Sequence, residues 1–403
     1  MKKAYLTAGI PSINMTLYWK MRFLVGDPAA VLEFDEDLDF PEARPTENPD
    51  VVKVSGKTRL LILRDIENER ARQKALADLV ACPADFPIDG GLSGDREIAT
   101  AQSVAEAFKR AGVTHVVSDR SLPLIYVHEL EIAGIKCECD VNRGVFERRS
   151  KDKTELAHIH EAQLATEEAI RQACKRIATA TPDSEGRLIA SDGVLLTSEN
   201  VRAFIDQTLL NAGYTNVPSI VAGKKDGGDC HNYGSGPLYT GEPIIIDVFP
   251  MNNTTLYNGD CTRTVINGEI QPIYKKMLEA IRAAKAAATA TIKAGVTGEE
   301  VHRATIKALE EHGFGYAAPG DPEAETEIRL THGTGHGLGL SIHEPPLEDF
   351  KGPELVVGDV VSVEPGLYSK KYGGIRIEDV VAVTEDGCVN LGSPLPEKLD
   401  WLD

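Results

Sequence analysis

Over the first 150 residues, short apolar runs alternate with stretches patterned at helical spacing. RLLILRDI (59–66) reads as a buried strand, and the charged segment behind it, ENERARQKALADLV (67–80), as a helix. Residues 97–111 predict a second helix and VTHVVSD (113–119) a second strand, while LPLIYVHELEIAG (122–134) fits either element. The acid- and proline-rich segment from Phe34 to Asp50 reads as loop. This alternation predicts an α/β domain, a sheet covered by helices.

Near residue 150 the pattern changes. The charged break RRSKDKT is followed by a long helical periodicity from about Lys153 to Ala178, which sets the expected domains at 1–152 and 153–403. LTSENVRAFIDQTLLNAG predicts a helix with Ser198 or Asn200 as N-cap and Gly213 as stop. EPIIIDVFP (242–250) and CTRTVI (261–266) read as neighbouring strands. The alanine-rich residues 271–294 predict a helix, and Thr297 with Glu300 has the spacing of a capping box opening the next one. VVGDVVSVEPGLY and GGIRIEDVVAVTEDG then return to strand patterning. The second domain is therefore expected to be α+β, mainly antiparallel sheet flanked by helices.

Length and charge narrow the picture. A chain of 403 residues exceeds one small core. A net charge of −19 argues against a nucleic-acid partner, which needs a basic footprint. No apolar run reaches the roughly 18 residues that span a bilayer, and the N-terminus lacks the marks of a signal peptide. The seven cysteines contain no C-x-x-C pair, which reads as reduced thiols in a cytoplasmic protein.

The chemistry lies in acids placed where strands disfavour them. Asp247 follows three isoleucines, Asp260 sits in NGDCTRTV, Glu364 follows VVSV, and Glu378 lies in GIRIEDVVAV. Any one of them has an ordinary explanation in a backbone hydrogen bond or an arginine. Four in one domain call for a compensating positive charge, which two divalent cations would supply. The segment THGTGHGLGLSIHEPP (331–346) adds His332, His336 and His343. Its glycines oppose a helix and it lacks the Glu, so it is not an H-E-x-x-H zinc helix, and the spacing of GTGHGLGL does not fit a G-x-G-x-x-G nucleotide loop. On an extended strand His332 and His336 share a face and His343 takes the other, unless a bulge intervenes.

Taken in order, IIID…GDCTRT, HGTGHGLGLSIHE, VEPGLY and GGIRIED resemble the M24 metallopeptidases of pita-bread fold, in particular the Xaa-Pro aminopeptidase and prolidase branch with its creatinase-type N-terminal domain. The resemblance is dense over about residues 154–396. It implies Asp247, Asp260, His336, Glu364 and Glu378 as ligands of a dinuclear site holding Mn²⁺ in the first instance, with Co²⁺, Zn²⁺ or Fe²⁺ as alternatives. It implies that a hydroxide shared by the two ions attacks the scissile carbonyl. Glu364 would shuttle the proton, and His231 and His343 would donate to the oxyanion or the substrate backbone. Arg376 would orient a ligand carboxylate or grip a substrate carboxylate, with His332 in a supporting position. Asp260 follows Asp247 by 13 residues (260 − 247), slightly more than is common in the family; FPMNNTTLYNG lengthens the turn. Tyr233, Tyr239, Tyr368 and Tyr372 lie beside the motifs as candidates for a proline-ring pocket. The resemblance also implies a peptide substrate and a homodimer.

Two other readings remain, a metal-free amidinohydrolase of the creatinase kind and a non-catalytic binding module on the same fold. Both are marked by lost ligand positions, whereas all five are filled here. Whether the substrate is a dipeptide or a longer peptide stays open at this level.

Overall fold

The computed structural model describes residues 2–318, 320–322 and 326–402, and the chain divides into two compact units, Met1–Arg148 and Arg149–Asp403. The first unit carries a seven-stranded mixed sheet, ordered Arg44–Pro45, Leu79–Ala81, Thr58–Ile62, Ala29–Phe34, Lys3–Gly9, His115–Ser118, Lys136–Cys139. Lys3–Gly9 runs parallel to His115–Ser118 and antiparallel to Ala29–Phe34. Both faces of this sheet are covered. Leu6, Leu32 and Leu60 enter one core with Phe86, Val104 and Phe108, and Val31 and Leu61 enter another with Leu17 and Met21. This is why its strands read as continuous apolar runs.

The structure changes or completes the sequence reading at four places here. The helix expected over 67–80 is Asp65–Lys74, and Leu79–Ala81 leaves it to pair in parallel with Thr58–Ile62. Tertiary pairing outweighs the helix propensity of ALADLV. The ambiguous 122–134 segment is a helix, Leu124–Ile132. The N-terminal Lys3–Gly9, given no element from sequence, is a central strand, and Arg44–Pro45 adds an edge pairing inside the expected loop.

In the second unit the helix Lys153–Ala178 opens on a capping box of Asp152 and Glu155. The helix Ser198–Asn211 is capped by Thr197, one residue earlier than expected, with Asn200 completing the box. The Thr297–Glu300 box opens Gly298–Glu311 as read. Pro243–Val248 pairs antiparallel with Ile220–Ala222 on one side and Cys261–Ile266 on the other. Side chains alternate along these strands. Ile244, Ile246, Val248, Cys261 and Val265 pack with the long helix's Ala162, Ala169, Ile170 and Ala173. Asp247 and its ladder partner Thr262 take the opposite face. A second antiparallel sheet runs Glu344–Glu348, Gly335–Gly337, Val360–Val363, Asp379–Val383, Cys388–Asn390. Its Val361, Val363, Val381 and Val383 pack with Ala288, Ile292 and Val301 of the flanking helices, so Ser362 projects from the other face. The residues that lengthen the turn after Asp247 form a small ladder, Met251–Asn252 against Tyr214–Thr215.

Asp260 is set against the long helix at close range. Gln163 donates to its carbonyl at 2.8 Å and accepts from its N–H at 3.0 Å. At Gly259 an added Cβ would lie 2.3 Å from Thr166 Oγ1 and 2.6 Å from the Ala162 carbonyl. Gly259→Ala should therefore destabilise the unit by about 1–3 kcal/mol and lower the melting temperature by roughly 3–10 °C. Calorimetry showing an unchanged melting temperature would contradict this packing.

Candidate metal centre

The two sheets and the Gly366–Ser369/Gly373–Arg376 hairpin surround a cavity of ≈ 490 Å³ lined by all eight residues singled out as metal ligands or catalytic groups: His231, Asp247, Asp260, His336, His343, Glu364, Arg376 and Glu378. One donor atom each from Asp260, His336 and Glu378 falls within 4.8 Å of the others. His336 Nε2 lies 3.6 Å from Asp260 Oδ2 and 3.4 Å from Glu364 Oε1. Its Nδ1–H donates to the Gly337 carbonyl at 3.2 Å, and since a carbonyl only accepts, Nε2 carries the lone pair that faces the carboxylates. Asp260, Glu378 and Asp247 are buried.

The histidine segment turns on the bulge that its glycines permit. The ladder slips between His336 and Gly337, and the rings of His336 and His343 meet edge-on at 4.2 Å. The simple alternation expected for the three histidines is therefore replaced by convergence on one cavity. The close approach requires glycine, because a Cβ on Gly335 would stand 1.9 Å from the Ser362 carbonyl. His343 and His231 are exposed at the cavity, and His332 is a half-buried part of its lining.

Arg376 is buried, and four of its five N–H groups are committed. Nε donates to Thr262 Oγ1 at 3.1 Å, and Nη1 to the Cys230 carbonyl at 3.2 Å and to Tyr368 Oη at 2.8 Å. Nη2 donates to Asp247 Oδ2 at 2.7 Å. Of the two roles expected for it, the arrangement matches orientation of Asp247 and leaves no two-pronged face for a substrate carboxylate. Tyr368 in turn meets His332 Nε2 at 2.8 Å, and His332 Nδ1–H donates to the Gly333 carbonyl at 2.8 Å. Tyr368 O–H therefore donates to a neutral His332, whose pKa burial drives down to about 3. Of the four tyrosines proposed for a ring pocket, Tyr233 lines the cavity, Tyr368 belongs to this chain of hydrogen bonds, and Tyr239 and Tyr372 do not line it.

The sequence did not flag Ser362, Thr262 or Gln163. Ser362 Oγ accepts from the His336 N–H at 3.0 Å and donates to Glu364 Oε1 at 3.1 Å. Thr262 Oγ1 donates to Glu378 Oε2 at 2.7 Å. For Ser362 and Thr262 the signal was the strand period alone, which places small polar residues on the same face as the acids; Gln163 lies inside the helix Lys153–Ala178 and carried no such signal.

The acids crowd one another. Burial pushes the Glu364 carboxyl up to about 7, against the pull of Arg376 and with the push of Asp247. Asp260 and Glu378 stand well above the usual carboxylate range, through burial first and then through the neighbouring carboxylates. Asp247 Oδ1 is buried with no hydrogen-bond partner. Four carboxylates and one imidazole, one oxygen of them orphaned, fit hard divalent cations.

Residues 157–385, more than half of the chain, match the pattern of metallopeptidase family M24, and the chain belongs to that family. It is 25% identical over 346 residues to an Xaa-Pro dipeptidase of Pyrococcus horikoshii, covering 84% of this chain and 85% of that protein. Two solved structures share its pita-bread fold. An Xaa-Pro dipeptidase from Bacillus anthracis aligns with a TM-score of 0.76 at 21% identity, over 98% of this chain and 94% of that one. An X-Pro aminopeptidase from Thermotoga maritima aligns with a TM-score of 0.75 at 22% identity, over 99% and 97%. Among the described residues no helix is long and apolar enough to cross a membrane.

The raised carboxyls make a stability prediction. Unfolded, Glu364 titrates near 4.5; folded, near 7. Between those values the folded metal-free protein holds a proton that the unfolded chain has lost, so stability falls as pH rises through that window; Asp260 and Glu378 act in the same direction. Melting curves in chelator should shift down between about pH 5 and pH 7.5, and added Mn²⁺ should stabilise more at the higher pH. A chelated protein whose melting temperature is flat or rises over that range would contradict the arrangement.

Proposed function

We propose that this chain is a dinuclear-metal peptidase that hydrolyses Xaa-Pro peptide bonds. The observation that supports it above others is the convergence of Asp247, Asp260, His336, Glu364 and Glu378 on one cavity. Asp247, Asp260, His336, Glu364 and Glu378 would hold the ions, Mn²⁺ being the first candidate for a ligand set so rich in oxygen. Bound there, two divalent ions supply the positive charge that ionises water near neutral pH and polarises a carbonyl.

The chain's own groups supply the rest. Arg376 and Thr262 hold Asp247 and Glu378 in fixed rotamers. Glu364, whose Oε1 accepts from Ser362 Oγ, takes a proton from the attacking water and gives it to the proline nitrogen as the C–N bond breaks. That nitrogen has no N–H, so the substrate must be placed through its carbonyl and its ring. His231 and His343, exposed at the cavity mouth, donate to that carbonyl oxygen. Ile220, Tyr233, Phe249 and Ile342 give an apolar wall for the ring. The reading carries a cytoplasmic setting, supported by seven free thiols, and a homodimer as in the expectation from sequence.

Xaa-Pro hydrolysis should require added Mn²⁺ or Co²⁺ and cease on chelation. Asp260→Asn and His336→Ala should each lose more than the roughly 10–100-fold typical of a partner that only orients a ligand, whereas Ser362→Ala should stay within that range. Full activity after exhaustive chelation would favour the metal-free hydrolase instead.

A further inference from the structure

We infer that the site is built for peptides that continue beyond the proline and disfavours free Xaa-Pro dipeptides; this rests on the peptidase reading above. Proline's carboxylate and the nitrogen of the scissile bond belong to one residue, so a dipeptide must bring its terminal carboxylate into the same cavity. A carboxylate drawn out of water needs a cation or several donors.

The cavity does not offer that cation. Among the described residues that line it, Arg376 is the only arginine or lysine, and four of its five N–H groups are already engaged by Asp247, Thr262, Tyr368 and the Cys230 carbonyl. His332 is closed off by its bonds to Tyr368 and Gly333. The wall next to the metal ligands is apolar and then acidic. Leu347 is the ladder partner of His336, so its side chain stands on the same face, and it is 53% exposed. Two residues further along the same wall, Asp349 presents a half-exposed carboxylate; one oxygen accepts from the Phe350 N–H. A terminal carboxylate there meets a hydrocarbon surface and a like charge. An internal peptide group is neutral, lies well against Leu347, and needs only single donors such as His231 and His343.

The test uses the Mn²⁺-loaded full chain with Ala-Pro-Ala, Ala-Pro-amide and Ala-Pro. The tripeptide and the amide should exceed the free dipeptide by about tenfold or more in kcat/KM, the gap lying mainly in KM. The amide arm isolates the charge, since it differs from the dipeptide only at the terminus. Free dipeptide cleaved as well as the tripeptide overturns this inference and leaves the peptidase reading standing, whereas no hydrolysis of any of the three defeats that reading itself. Leu347→Arg and Asp349→Asn should each narrow the gap by lowering the dipeptide KM, roughly fivefold or more for the arginine. A ratio unchanged in both variants overturns the assignment of this wall.

Discussion

Four carboxylates forced into one buried cavity are the constraint on which the rest of this structure depends. Asp247, Asp260, Glu364 and Glu378 repel one another where little water screens them, and a single guanidinium, that of Arg376, faces them. Left alone, the fold can relieve the repulsion by binding protons. Divalent cations relieve it while leaving the carboxylates ionised, and the same positive charge is what peptide hydrolysis at neutral pH demands. Stability and chemistry thus draw on one electrostatic feature.

The scaffold is organised to sustain that crowding. Each strand that carries an acid buries apolar neighbours on its reverse face against a helix, so the acid cannot turn away without exposing a core. Beneath the cavity, Asp379 follows Glu378 on the opposite face and accepts from Arg263 Nη2 at 2.7 Å and from Lys285, pinning that strand to the helix Pro272–Thr291. Gln163 clamps Asp260 from the long helix, and Ser362 links His336 to Glu364. These groups act on geometry, which is why a ligand set drawn from distant parts of the chain can converge.

Much of this was legible in the sequence. Acids interrupting runs such as IIID and VVSVE contradict strand propensity, and a contradiction of that kind points to a site. The start of the helix Gly298–Glu311 was readable from the Thr297–Glu300 box because capping is local chemistry, and that of Lys153–Ala178 from its periodicity. What escaped depended on contacts between distant segments. Lys3–Gly9 becomes a strand only because two others flank it, and ALADLV leaves its helix because Thr58–Ile62 offers a parallel partner. The convergence of His336 and His343 required a bulge whose position no periodicity reveals. The commitments of Arg376 were hidden for the same reason, since three of its partners lie more than 100 residues away in sequence.

Charge is unevenly spread around the cavity. Four carboxylates crowd its floor, while the wall beside His336, from Leu347 to Asp349, is hydrocarbon and then acid. The most direct measurement of the central claim is anomalous diffraction from crystals of the full chain soaked in Mn²⁺. The account predicts two manganese peaks, each ligated by members of the set Asp247, Asp260, His336, Glu364 and Glu378. Manganese found elsewhere, or a cavity that stays empty while these carboxylates remain protonated, would contradict it.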